Sequence, residues 1–261
     1  MSLDLANLQK LANTVRTLSI DAIQKANSGH PGLPLGAADF TSVLWANYLR
    51  FNPKDPTWIN RDRFVLSAGH GCMVLYSMLH LFGYDLPMSQ LQSFRQWESL
   101  TPGHPEFGVT AGVECTTGPL GQGAANSVGL ALSGKMLAAR YGHDVFNYRV
   151  FSLVSDGDLM EGVAAEAASM AGHLQLDNLV YLWDDNKISL AGETEVCFTE
   201  DVAKRFESYG WFVQTIDGHD MKAVAAALDK ATSQKGKPSL ICCRTVLGFG
   251  SPNKKNTHDV H

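Results

Sequence analysis

Five short apolar runs, each closed by a polar or Gly-containing turn, constrain this chain more than any other feature. They cover residues 64–66, 150–154, 179–183, 211–216 and 239–246. Such short, nearly uniform runs suit strands buried on both faces, the pattern of a parallel sheet covered by helices. The segments between them carry helical periodicity. Leu8, Leu11, Val15, Leu18, Ala22 and Ala26 recur at three- and four-residue steps along a first long helix, and the spacing predicts further helices over 35–49, 73–82, 124–140 and about 160–173. The expected fold is therefore α/β, three layers in α/β/α order around a central, mainly parallel sheet of about five or six strands.

At 261 residues the chain has length for a substantial core, and 45% hydrophobic against 18% charged residues argues against disorder. A net charge of −5 makes a nucleic-acid polymer a poor partner. No apolar run reaches membrane-spanning length, and the opening MSLDLANLQK has no basic stretch before an apolar one, as a secretory signal would. Five scattered cysteines with no C-x-x-C pair read as reduced thiols of a cytoplasmic protein.

Three groups of residues carry chemistry. Asp156-Gly157 ends one strand, and Asn186 ends the next, 30 positions on. In a right-handed βαβ unit the carboxyl ends of both strands share one sheet edge, where ligands bind, so the two side-chain oxygens converge. Oxygens suit a hard cation such as Mg²⁺, and the Gly157 N–H opens a helix N-terminus that suits an anion. Together they describe a metal-bridged diphosphate site. Alone, an Asp-Gly is a helix cap and an Asn a turn residue. The second group is Gly118-Pro119-Leu120-Gly121-Gln122-Gly123, which lets backbone N–H groups face a ligand and lacks the Lys of a Walker loop. The third is His30, His70 and His104, each beside glycine in a loop, with His258 in a polar tail. Imidazoles titrate near neutrality and move protons to and from hydroxyls. His80, His143 and His173 read as structural or solvated, and His219 as a turn residue.

With these residues the chain resembles the transketolases. The motifs SGHPG (28–32), RDRFVLS-GHG (61–71), TPGHPE (101–106), TTGPLGQG (116–123), DDNKIS (184–189), IDGHD (216–220) and GFGSPNK-THD (248–259) stand in family order. Ser155 replaces the first glycine of the family's Gly-Asp-Gly, Asp158 adds a charge that either weakens diphosphate binding or caps the following helix, and Ala68 stands where Asn is common. The resemblance covers 1–261 as one diphosphate-binding domain, with 248–261 as a flexible active-site tail, mobile over 251–261 without cofactor. It implies thiamin diphosphate and Mg²⁺ (or Ca²⁺) as cofactors. Asp156, Asn186 and the Ile188 carbonyl would bind metal. His70, Gly118, Pro119, Leu120, Gly157, Glu161, Asn186 and His258 would contact cofactor, with Glu161 in an acidic network. His30 and His258 would be catalytic, and His30, His104 and His258 would meet the substrate.

The implied reaction moves a two-carbon ketol unit from a ketose phosphate to an aldose phosphate, with the cofactor as electron sink. The resemblance spans only the first of the family's three domains. The implied partners are sugar phosphates, a chain bearing the pyrimidine-binding and C-terminal domains, and further copies of this one through the small-residue-rich segment 124–139. Alone, the chain is expected to be inactive. The alternatives are a related thiamin-diphosphate enzyme acting on another sugar or formaldehyde, and a non-catalytic interaction module.

Overall fold

The computed structural model describes residues 4–189 and 192–260. Helix α1 (Leu5–Ala26) starts where Asp4 accepts a hydrogen bond from Asn7 N and ends where Asn27 turns left-handed, at φ 50°. Helix α2 (Gly32–Asn47) is buried on nearly every side. It begins three residues earlier than its apolar pattern, because Pro34 is tolerated in a first turn. Strand β1 (Arg63–Leu66) leads through a turn to α3 (Cys72–Leu81) and the short α4 (Met88–Leu91). A long coil reaches α5 (Gln122–Tyr141), then β2 (Val150–Ser155), α6 (Asp156–Met160), α7 (Gly162–His173) and β3 (Leu179–Asp185). A small ribbon, β4 (Ile188–Ser189) and β5 (Gly192–Glu193), precedes α8 (Val202–Ser208), β6 (Phe212–Asp217), α9 (Met221–Ser233) and β7 (Ser239–Arg244).

The main sheet has five strands in the order β1-β2-β3-β7-β6, with every neighbouring pair parallel. Alternate residues of each strand feed opposite layers. Phe151, Leu153, Val180, Leu182 and Ile241 pack with α1, α2, α3 and α9. Val150, Val154, Leu179, Tyr181 and Leu240 pack with α5, α7 and α8. Period-two alternation in doubly buried strands produces the three layers expected. Each large side chain so buried contributes about 2 kcal/mol.

The helix expected over about 160–173 is α7, and a separate short helix, α6, precedes it. The backbone of Glu161 is extended, with ψ 137°, and separates α6 from α7. Gly162, a poor helix former, follows the break. The last strand stops at Arg244, two residues short of its apolar run, because Thr245 turns to donate its hydroxyl to Asp184. Trp211 falls before β6 and is buried, its Nε1 donating to Ala168 O at 2.8 Å.

Strand order directs two loops to one place. The chain skips from β3 to the edge strand β6 and returns to insert β7 beside β3. The loops after β3 and β7 therefore meet at the carboxyl edge, and Thr245 N donates to Asp185 O at 3.3 Å. Such a reversal of strand order is where ligands bind in open α/β sheets. Among the described residues no helix is long and apolar enough to cross a membrane.

Candidate active site

A cavity of about 450 Å³ opens at that carboxyl edge. His30, His70 and His104 line one part of it, and Asp156, Gly157, Asn186 and Ile188 another. Gly118 and Leu120 form the wall between, so most of the residues singled out in the sequence share one space. A second cavity, about 310 Å³, lies at the opposite edge among Lys135, Tyr148, Arg149 and Asp177, remote from the strand ends that carry these groups.

The acidic corner is built by β2 and β3. Asp156 is the first residue of α6, 5% exposed, and its Oδ2 accepts from Lys187 N at 3.2 Å. Asn186 Nδ2 donates to Asp184 Oδ2 at 2.9 Å, and Asn186 Oδ1 accepts from Ile188 N at 2.9 Å. Asp184 and Asp185 are also buried. Burial, then the Asp185 and Asp184 charges, push the Asp156 carboxyl up to about 7. Burial likewise raises Asp184 to about 6 against the hydrogen bonds from Thr245 and Asn186. Lys187 Nζ pairs with Asp185 Oδ1 at 2.7 Å, but three buried acids outnumber this one cation, and a divalent cation with oxygen ligands supplies the remaining positive charge. Among the described residues no three His, Cys, Asp or Glu side chains form a metal cluster. The set here has one carboxylate facing the cavity, with an amide and a carbonyl to complete it. Its donors are hard oxygens, so it fits a cation that keeps ligands from a bound diphosphate.

The capping role open to Asp156 falls instead to Ser155, whose hydroxyl and Asp158 form a reciprocal capping box on α6. Asp158 is fully buried and turned into the loops behind the cavity. Its Oδ1 accepts from Gly121 N and Ser67 Oγ, both at 2.8 Å, and its Oδ2 from Ser155 N at 2.9 Å. Ser67 Oγ in turn accepts from Ala124 N at 2.9 Å. Burial raises the Asp158 carboxyl, and these donors pull it back. One side chain thus ties the end of β1, the 118–123 loop and the end of β2 together. Of the two roles the sequence left to Asp158, an added charge or a helix cap, the structure shows the cap; its ties to Ser67 and Gly121 carried no local signal.

Glycine matters at two points. A Cβ on Gly123 would lie 2.5 Å from Ser67 Cα, so this close approach of α5 to β1 excludes side chains. Gly118 has φ +151°, and a Cβ there would meet the His104 ring at 3.3 Å.

The histidines stand together. The rings of His30 and His70 are 5.2 Å apart, edge to face. Burial, then the charge of Arg95, hold His104 below its ordinary range, which keeps it neutral near pH 7. His219 is not a plain turn residue. Its Nδ1 contacts Asp39 Oδ2 at 2.8 Å, its Nε2 accepts from Val246 N at 3.0 Å, and it stacks on Phe249 at 3.8 Å. It anchors the segment that brings Leu247 to the cavity. Ser155, marked in the sequence as replacing the motif's first glycine, lines the space, as do Leu33, Met160, Ser189 and Leu247, which carried no signal as site residues.

Two expected residues do not line the cavity. Pro119 is exposed between Gly118 and Leu120, and Glu161 is exposed at the break between α6 and α7, beside Gly121. The backbone of His258 begins a short turn, His258–Val260, whose Val260 packs on Leu35 and Leu247; the His258 side chain, like all of His261, lies outside the described residues.

Known proteins share this sequence and fold. The family model for the transketolase thiamine diphosphate binding domain matches residues 7–261. Transketolase 1 of Escherichia coli is 54% identical over 261 residues, covering 98% of this chain and 39% of that protein. A transketolase of Geobacillus stearothermophilus is 54% identical over 260 residues, with the same shares of 98% and 39%. The crystal structure of a Campylobacter jejuni transketolase superposes with a TM-score of 0.96 at 48% identity, over 100% of this chain and 40% of that one. A Pichia stipitis transketolase in complex with sedoheptulose-7-phosphate gives 0.95 at 52%, over 97% and 38%. The chain thus spans about 40% of the length of its relatives. It belongs to the transketolase family and is that family's thiamin diphosphate-binding domain.

Proposed function

We propose that the chain supplies the metal- and diphosphate-binding half of a two-carbon ketol transfer site. The carrying observation is the single cavity that joins Asp156, Gly157, Asn186 and Ile188 to His30, His70 and His104. Asp156 and Asn186 hold Mg²⁺ by side-chain oxygens and Ile188 by its carbonyl. Gly157, Gly118, Leu120 and His70 bracket the diphosphate, and Pro119 stiffens their loop. Glu161, at the junction of α6 and α7, faces a partner. Thiamin diphosphate, when bound, supplies the nucleophile and electron sink for cleaving a ketose C2–C3 bond.

His30 and His258 exchange protons with the substrate's oxygen atoms. His104, held neutral, both donates to and accepts from sugar hydroxyls. The substrates are a ketose phosphate donor and an aldose phosphate acceptor, the chemistry of pentose phosphate interconversion. The Pichia stipitis relative's complex with sedoheptulose-7-phosphate supports this class.

The partner is a chain bearing the pyrimidine-binding and C-terminal domains, and α5, which leaves Met136 and Tyr141 exposed, is the face for assembly. The compartment is the cytoplasm, in keeping with five free cysteines.

Mixing purified chain with a transketolase fragment carrying only the other two domains tests this reading. Ketol transfer is expected from the mixture with Mg²⁺ and thiamin diphosphate, and none from either component. Equal activity with and without the complementary fragment would refute it.

A further inference from the structure

His30 and His104 sit on coil, with no helix or strand to aim either. His30 follows Ser28-Gly29 between α1 and α2, and His104 follows Gly103 in the coil before α5. One side chain touches both approaches. Arg95 Nη1 donates to Ser28 Oγ at 2.8 Å, and Nη2 donates to Gly103 O at 3.4 Å. Arg95 also adopts a left-handed backbone, with φ 59°, uncommon for a residue other than glycine. Its N–H donates to Thr101 O at 3.0 Å, which fixes that conformation. A strained residue held in place by its surroundings is a mark of functional geometry.

We propose that Arg95 is a positioning residue of this site, a two-armed clamp that sets the spacing of the His30 and His104 loops across the cavity. The inference rests on the reading that both histidines meet the substrate. Among the described residues no carboxylate forms an ion pair with Arg95. Its fork is therefore committed to the two loops. A planar guanidinium donates from two separate nitrogens in a fixed fork, whereas a lysine ammonium donates from one. The neighbouring residues fit the clamp closely. A Cβ on Gly103 would come within 3.1 Å of Arg95 Nε, and one on Gly29 within 3.1 Å of the buried Phe94 ring. Within the SGHPG motif, the Ser28 hydroxyl is the acceptor for one arm.

The clamp has an electrostatic consequence. His104 lines both the main cavity and an adjoining recess of about 370 Å³ that Arg95 also lines. Cys72 and Tyr76 contact the backbone of 103–104, Glu106 lies two residues on, and His30, His70 and Asp156 line the same main cavity. Arg95 is the permanent cation in this set, and it adds to burial in holding His104 neutral.

The test uses this chain with three substitutions, R95M, R95K and S28A. NMR follows the His104 titration and the amide exchange of Asn27 and Ser28, whose N–H groups donate to Gln24 O at 3.2 Å and Ile23 O at 3.3 Å at the start of the His30 loop. All three variants are expected to exchange at those amides about tenfold faster than wild type, the loss of one charge-assisted hydrogen bond. R95M is expected to move the His104 midpoint upward, while R95K and S28A keep it near wild type. S28A alters only a small polar side chain, so its exchange rates report the clamp even where the arginine variants fold poorly. Unchanged exchange in S28A, or an unmoved His104 midpoint in folded R95M, would overturn the proposal. Calorimetry of Mg²⁺ and thiamin diphosphate with the wild-type chain tests the cofactor reading separately, and its failure would leave these readouts intact.

Discussion

The backbone N–H of Lys187 lies 3.2 Å from Asp156 Oδ2, a hydrogen bond between loops that follow two neighbouring parallel strands. It ties the start of α6 to the turn that carries Asn186 and Ile188, so the oxygens assigned to the cation move as one unit. Asp156→Ala removes the charged oxygen and the acceptor for Lys187 together. Calorimetry is expected to show Mg²⁺-dependent cofactor affinity falling on the order of a hundredfold. Wild-type affinity in D156A would break the assignment.

Asp158 tests a different layer of the design. Removing its carboxylate with D158A leaves buried donors from Gly121, Ser155 and Ser67 without an acceptor. Urea unfolding is expected to report a loss of about 3 kcal/mol, from leaving several buried donors unpaired. A loss below about 0.5 kcal/mol, the range of surface substitutions, would contradict the network.

Close approach at Gly123 makes a steric prediction. G123A places a methyl 2.5 Å from Ser67 Cα, which forces α5 away from β1. The expected cost is about 3 kcal/mol by chemical denaturation, because backbone cannot yield as a flexible side chain does. Unchanged stability would mean that α5 packs otherwise.

The Asp39 network sets an acid limit. Burial alone would raise this carboxyl, but hydrogen bonds from His219 and Arg16, and their charges, hold it below 3.8. A depressed folded pKa contributes stability that is present above the unfolded value and lost as pH falls through the folded one. Urea midpoints measured from pH 5 downward are expected to fall more steeply for wild type than for D39N. Parallel profiles would contradict the assignment.

Much of this is legible in the sequence. Strand runs and helical spacing foretell the parallel sheet and its layers, because buried strands must be apolar and topology then forces their ends to one edge. Asp156, Asn186 and the Gly-flanked histidines are legible because metal and proton chemistry demands rare residue types in loops. Arg95 and His219 are not, and Asp158 is legible only as a cap on the following helix. Each acts through contacts between loops far apart in sequence, such as the 91 positions from Ser67 to Asp158 and the 67 from Ser28 to Arg95. Local pattern carries no trace of such pairings. The short helix α6 is hidden for a different reason: five residues, Asp156–Met160, are too few to show helical spacing.

Anomalous scattering from crystals of the chain grown with Mn²⁺ and thiamin diphosphate gives the sharpest test of the metal and diphosphate site. A manganese peak is expected bonded to the Asp156 and Asn186 side-chain oxygens and the Ile188 carbonyl, with the diphosphate against Gly157. A bound cofactor whose metal peak lies away from Asp156 and Asn186 would contradict this placement.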